Sequence, residues 1–257
     1  MLAAAVDDPL VLERLRRQAR SRGAAAFDFE RIRLFAGLAA KVRQNDIRLR
    51  LPLTFTLLDR LKVSIAVFAD YAKPAAALRQ ANKKSRADKI DSFCRFLDGW
   101  LDHGNPDHAL AWDLVRHERA LFELRDGATA LPVQPGDAKR EKVTAKSVPV
   151  RRARTAHHQM SANPLQLEQI LRARSGDLST LARGQFHYAY RWDEPRGCVS
   201  IDEVDELGCV LFDCADGENS VAQMAAALRH AGVAIDTGRL CGAVQQLVDG
   251  GALMLRG

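Results

Sequence analysis

From Gly127 to Ala162 the sequence loses apolar periodicity, and this gap most constrains how the chain can fold. A helical pattern stops before it and a different pattern starts after it, so two separately cored parts are expected. Pro132, Pro135 and Pro149 and the run AKREKVTAKSVPVRRARTAHH read as an extended, basic connector. The expected organisation is a helical domain over 1–126, a basic extended linker over 127–162, and a winged-helix-like domain over 163–257. A chain of 257 residues can bury such cores without disulfide staples.

The first part reads as a run of helices. Asp8 with Pro9 signals a helix start, with an end near Gly23. Ile32, Phe35, Leu38, Ala39 and Val42 recur at helical spacing and predict one buried stripe. Pro52 opens a helix through Leu57, Leu58 and Leu61, and Ser64 can cap the next one through Tyr71 before Pro74 interrupts it. After a lysine-bearing stretch around Lys83 to Lys89, two further helices break at Gly104, Asn105 and Pro106. Leu110, Leu114, His117, Leu121 and Leu124 then share one face.

After the gap, Asn163 and Pro164 restart a helix with Leu167, Ile170 and Leu171, and Asp177 can cap a short one to Gly184. Tyr188, Tyr190 and Trp192 alternate with His187, Ala189 and Arg191, a half-buried strand that DEPRG turns into a second strand at Cys198 to Ile201. A first helix carries Val204, Leu207, Val210, Leu211 and Cys214. Ser220 with Gln223 forms a capping box for a second, closed by Gly232, and Asp236 caps a third through Leu240, Val244, Leu247 and Val248. Gly250 and Gly251 end it before a closing strand over Ala252 to Leu255. The fold class is therefore mainly α, a helical domain followed by an α+β winged-helix-like domain.

Charge is unevenly shared. The net charge is +6, yet residues 186–257 hold 5 Arg and no Lys against 11 Asp and Glu, a net of −6; the remainder, with 33 basic and 21 acidic residues, carries +12. Five cysteines, an odd number with no CxxC pair, read as reduced thiols. No segment approaches the roughly 18 apolar residues of a membrane helix, and MLAAAVDDPLVLERLRRQ lacks the basic start and long apolar run of a signal peptide. A cytoplasmic protein is expected.

Chemistry-bearing motifs are sparse. Phosphate loops, a GxSxG elbow and a dinucleotide fingerprint are absent, and His117, Glu118 and Glu123 of HERALFE point to different sides of one helix. His157 and His158 are adjacent and Cys209 and Cys214 are five apart, neither being zinc-site spacing, so no metal site is expected. A winged helix that reads DNA uses its third helix, but here that helix offers Arg239, Gln245, Gln246 and Asp249, a poor match to phosphate. A DNA-binding transcriptional regulator is thus the alternative. The favoured expectation is a peptide site on Cys198, Val199, Ser200 and Ile201, whose edge carries no Lys or Pro, and on Arg239, Ala243 and Gln246 of the third helix. Trp100, Trp112 and Arg116 are the expected anchors for a partner protein.

The stretch VDELGCVLFDCADGENSVAQMAAALRHAG with LCGAVQQLVDGGALML resembles the PqqD-type element that binds leader peptides of ribosomally made, modified peptides. NDIRLRLPLTFTLLDRL and FLDGWLDHGNPDHALAWDLVRHERAL are similar to partner subunits of multinuclear non-haem iron oxidative enzymes of methanobactin-like and thiaglutamate-like pathways. The resemblance implies a non-catalytic adaptor, without a cofactor of its own, that forms a heterodimer with an iron-dependent barrel enzyme and presents a precursor peptide whose cysteine is modified. The iron is then the partner's.

Overall fold

The computed structural model describes residues 13–18, 28–43, 45–71, 86–127, 142–173 and 176–256. The expected helix start at Asp8 and Pro9, its end at Gly23, the break at Pro74, and Pro132 and Pro135 lie outside these residues. The protein is mainly helical, with small antiparallel sheets in its C-terminal part. It divides into two compact units, Met1–Glu118 with Leu165–Leu178, and Arg119–Pro164 with Ser179–Gly257. Among the described residues no helix is long and apolar enough to cross a membrane.

In the first unit, residues 13–18 are helical, followed by α1 (Phe29–Arg43), α2 (Asn45–Arg50), α3 (Pro52–Arg60), α4 (64–71), α5 (Arg86–Trp100) and the first half of α6 (Pro106–Gly127). Helix α7 (Pro164–Arg172) also belongs to this unit rather than to the C-terminal domain where the sequence pattern placed it. The guanidinium of Arg60 donates to the carbonyls of Ile170 and Leu171 in the last turn of α7 and to those of Ala173 and Gly176 beyond it. The core is aromatic: Phe55, Phe68 and Phe93 stack in a triangle with centroids 5.2–5.8 Å apart, and Tyr71 meets Phe93 edge-on.

Helix α3 has Pro52 at its first turn and Leu51, which has no capping side chain, at its N-cap. Glu118 of α6 does the capping from a distance. Its carboxylate accepts from the backbone N–H of Leu53 (2.6 Å) and Thr54 (2.9 Å) and from the Thr54 hydroxyl (2.7 Å). Glu118 and His117 are both buried. Burial pushes the Glu118 carboxyl up to about 7 against the pull of these donors, and pushes His117 down to about 4.

Two expectations for this unit change. Ser64 is the first helical residue of α4, and its hydroxyl donates to Asp59, which also takes Lys41. The apolar stripe of α1 is not buried: Phe35, Leu38 and Val42 are 59%, 43% and 70% exposed. The buried side of α1 is instead Ala36 and Gly37. A Cβ on Gly37 would stand 2.5 Å from the Ile65 carbonyl oxygen, so α1 and α4 approach too closely for anything larger.

The second unit begins with the rest of α6 and contains β1 (Pro149–Arg151), β2 (Thr155–Ala162), β3 (Arg183–Asp193), β4 (Cys198–Val204), α8 (Glu206–Cys214), α9 (Val221–His230), α10 (Thr237–Asp249) and β5 (Leu253–Leu255). The expected linker is therefore, over 142–162, part of the folded unit. β2 pairs with β3 from Thr155↔Arg191 to Ala162↔Arg183, and β1 pairs with β5 from Pro149↔Leu255 to Arg151↔Leu253. Val143 is buried among the helices, with its N–H on the Gln245 side chain at 2.8 Å. Prolines and charge mark this stretch as irregular, yet its polar strands find partners far away in sequence. The segment after Asp177 forms one 3-10 turn, Leu178–Thr180, before β3 starts at Arg183.

The hairpin and three helices occur as expected. Asp205, Ser220 and Asp236 cap the helices, Ser220 in a full capping box with Gln223, and Gly217, Gly232 and Gly251 take positive φ where the chain turns. Val204 ends β4 rather than starting α8.

Candidate functional site

The sheet order is β2-β3-β4, so β4 is an edge strand. Register places Ala156, Tyr190 and Ile201 in one row, and Trp192 opposite Val199. This face packs against Ala120, Leu121 and Leu124 of α6, with Tyr188, Tyr190 and Met160 buried beneath it. Arg154 lies over the Trp192 ring at 4.7 Å.

The strand predicted at Cys198 to Ile201 runs on to Val204. Cys198 is exposed at its start, and Val199, Ser200 and Ile201 are half-buried. Val199 and Ile201 turn their side chains to the aromatic cluster, leaving the outer backbone groups of β4 without a paired strand among the described residues. Asp202 and Glu203, both exposed, follow on the same strand. Arg191 approaches Asp202 at 3.4 Å, and the Tyr188 hydroxyl donates to Glu203 at 3.4 Å.

The third-helix residues sit over a different core. Arg239 and Gln246 are exposed, while Ala243 is partly buried against the cluster built from Leu211, Val221, Met224, Leu240 and Val244. Helix α10 packs against α8, α9 and β5. The strand edge and the helix face therefore belong to separate hydrophobic clusters rather than to the walls of one groove.

Trp100, at the end of α5, and Trp112 and Arg116, on α6, all belong to the first unit. All three are half-buried. The Trp100 indole donates to Asp70 (3.0 Å), whose other oxygen takes Arg33 (2.8 Å), and Arg116 pairs with Asp113. His108 packs on Trp100 and His103 on Trp112, each with centroids 5.9 Å apart. The more open apolar surface of this unit is the α1 face with Phe35, Leu38 and Val42, which helical periodicity assigns to the core.

The opposite face of the β2-β3-β4 sheet holds a group that sequence spacing missed. His157 of β2, His187 of β3 and Cys209 of α8 converge, with one potential ligand atom from each lying within 4.8 Å of the others. The His157 and His187 rings stack 13° from parallel with centroids 5.8 Å apart, and Phe212 flanks His157. His157 Nδ1 is 3.9 Å from Cys209 Sγ and 3.9 Å from an Asp213 carboxylate oxygen. Burial pushes His157 down and, with Asp213 and Glu206 nearby, pushes the Cys209 thiol up. The sequence signal was present but scattered: His157 and His187 each occupy the same side of their strand, and only the pairing His157↔Ala189 reveals that these are diagonal neighbours.

Compared with protein-family models and with curated protein sequences, the chain matches none.

Proposed function

We propose that this protein is a non-catalytic adaptor that holds an extended precursor peptide on the outer edge of β4 and presents it to an iron-dependent oxidative enzyme. The observation that carries this reading is the open edge of Cys198–Val204, a strand with neither Lys nor Pro to block pairing. A peptide adding there as a fourth strand gains main-chain hydrogen bonds, and its alternate side chains meet the rim of the sheet. Asp202 and Glu203 favour a peptide with basic residues opposite them.

The resemblance of 204–255 to PqqD-type elements supports the same reading, as does the run of hairpin and three capped helices. The first unit, basic in net charge with the 127–162 segment, supplies the surface for the enzyme. Its exposed Phe35, Leu38 and Val42 form an apolar face of the kind that marks protein contacts. Iron ligands belong to the enzyme in this reading.

The test uses the purified full chain and a fluorescent copy of the precursor peptide encoded beside it. Saturable anisotropy change is expected, together with co-purification of the neighbouring iron enzyme. Binding of neither peptide nor enzyme, with a sequence-specific shift of operon DNA instead, overturns the proposal in favour of a regulator.

A further inference from the structure

The structure assigns a cation site of zinc type to His157, His187 and Cys209, with Asp213 as a carboxylate within reach, clamping the sheet onto helix α8. This inference does not rest on peptide binding; it concerns the other face of the same sheet.

Three observations converge. First, the donors are of the right kind: two imidazoles and a thiol are the nitrogen and sulfur set that zinc prefers, and a carboxylate can fill a fourth tetrahedral position. Second, the spacing is right. Bonds of about 2.1 Å to nitrogen and about 2.3 Å to sulfur give tetrahedral edges of about 3.3–3.6 Å. The 3.9 Å from His157 Nδ1 to Cys209 Sγ is a few tenths longer, and the whole trio closes to that size with shifts of about 1 Å, within reach of side-chain rotation. Asp213 lies one turn beyond Cys209 on α8, on the same side of the helix, and its oxygen stands 3.9 Å from the same ring nitrogen.

Third, the site has unanswered polar groups. His157 Nε2 and His187 Nδ1 are buried without a hydrogen-bond partner. Two stacked, half-buried imidazoles with an orphaned nitrogen each are costly in a hydrophobic setting. A cation bound through His157 Nδ1, the nitrogen that faces Cys209 and Asp213, and through His187 Nδ1 gives the orphaned nitrogen of His187 a partner and turns its cost into a bond. The two strands and the helix then share a crosslink in a unit whose Cys198, Cys209, Cys214 and Cys241 are all free thiols. Binding requires Cys209 to give up its proton, so one proton leaves as the cation enters.

The experiment uses the full chain after chelator treatment, titrated with zinc against a chromophoric chelator and with cobalt as a spectroscopic probe. One equivalent is expected to bind, with cobalt giving visible bands of a tetrahedral site and a near-ultraviolet thiolate charge-transfer band. Cys209→Ser and His187→Gln are near-isosteric and are expected to lower zinc affinity by at least about 100-fold, the upper end of what losing even an outer partner of a metal ligand costs. The charge-transfer band disappears in Cys209→Ser. His158→Gln, on the other face of β2, and Cys241→Ser, on α10, are expected to bind as the wild type does. Zinc is expected to raise the melting temperature of the wild type and of both controls, but not of Cys209→Ser. Absence of saturable binding to the wild type, a cobalt spectrum without the thiolate band, or unchanged affinity in Cys209→Ser overturns the assignment; the wild-type spectrum alone decides the matter if a variant fails to fold.

Discussion

Replacing Glu118 tests how the first unit is held together, because one buried carboxylate caps a helix that lacks a cap of its own. In Glu118→Ala, the N–H groups of Leu53 and Thr54 and the Thr54 hydroxyl lose their acceptor. Each buried donor left unsatisfied costs about 1–3 kcal/mol, so a loss of about 3–5 kcal/mol is expected after partial relaxation. The pH dependence separates the cap from the charge. Burial raises the carboxyl from 4.5 to about 7, so the native state holds a proton that the unfolded chain releases between these values. Stability from this group is then fully present below pH 4.5 and is lost as pH rises through 7, on the order of 3 kcal/mol over that window. The assay is urea denaturation followed by fluorescence in a Trp192→Phe background, which leaves Trp100 and Trp112 of the first unit as reporters. Glu118→Gln keeps the shape and one acceptor oxygen and leaves the contribution of His117, which has the opposite sign because burial lowers that imidazole to about 4. The variant is therefore expected to gain about 3 kcal/mol from pH 4 to 6.5, while in the wild type the two contributions nearly cancel. A wild-type slope in Glu118→Gln refutes the buried-proton argument, and a loss below about 1 kcal/mol in Glu118→Ala refutes the cap.

Other outcomes follow from the same structure. Gly37→Val drives a side chain into the Ile65 carbonyl and the Ala69 methyl; a loss of about 1–3 kcal/mol is expected from overpacking, read as a lower melting temperature. Phe35→Glu with Val42→Glu is expected to abolish co-purification with the proposed iron enzyme while leaving peptide anisotropy and thermal stability unchanged, because both side chains are exposed. Val199→Pro removes a main-chain donor on the outer edge of β4, because its partner Trp192 turns its own N–H to Arg154 and so Val199 is not bonded to β3; peptide binding is expected to weaken at least about tenfold, with circular dichroism checking the hairpin. Alanine at Arg239 and Gln246 is expected to leave peptide affinity and the complex unchanged, because that helix face sits over a different core from the β4 edge; weakened peptide binding would extend the site onto α10.

The features that were legible in the sequence are those fixed within a few residues. Pro52, the Ser220–Gln223 box, Asp236 and the Tyr188–Trp192 alternation each carry their own local instruction, and each appears where expected. The larger failures are matters of partner choice. In α1 the periodic large residues face outward because the contact with α4 is made by Ala36 and Gly37, where close backbone approach replaces side-chain bulk. Strand β2 reads as a basic linker because His157, His158 and Gln159 carry no apolar alternation, and its stability comes from pairing along β3.

The same logic explains why the His–Cys group was invisible to spacing rules. Zinc patterns in sequence are short because both ligands of a pair usually sit on one turn or one helix. Here the donors come from two strands and a helix, 30 and 22 residues apart; the sheet register brings the two histidines together, and the position of α8 adds the cysteine. The two faces of this sheet are thus specialised by the period-2 alternation of its strands. One face is aromatic and closes on α6, the other carries the polar donors toward α8, and the edge between them stays open. A crosslink on the polar face fixes β3 against α8, and β3 in turn pairs with β4, along whose outer edge an added peptide must align. Metal loading and peptide binding are then separable in origin but coupled in rigidity: zinc is expected to slow peptide dissociation in the wild type and to leave it unchanged in Cys209→Ser, and equal dissociation rates with and without zinc in the wild type would show that the edge is set by the hairpin alone.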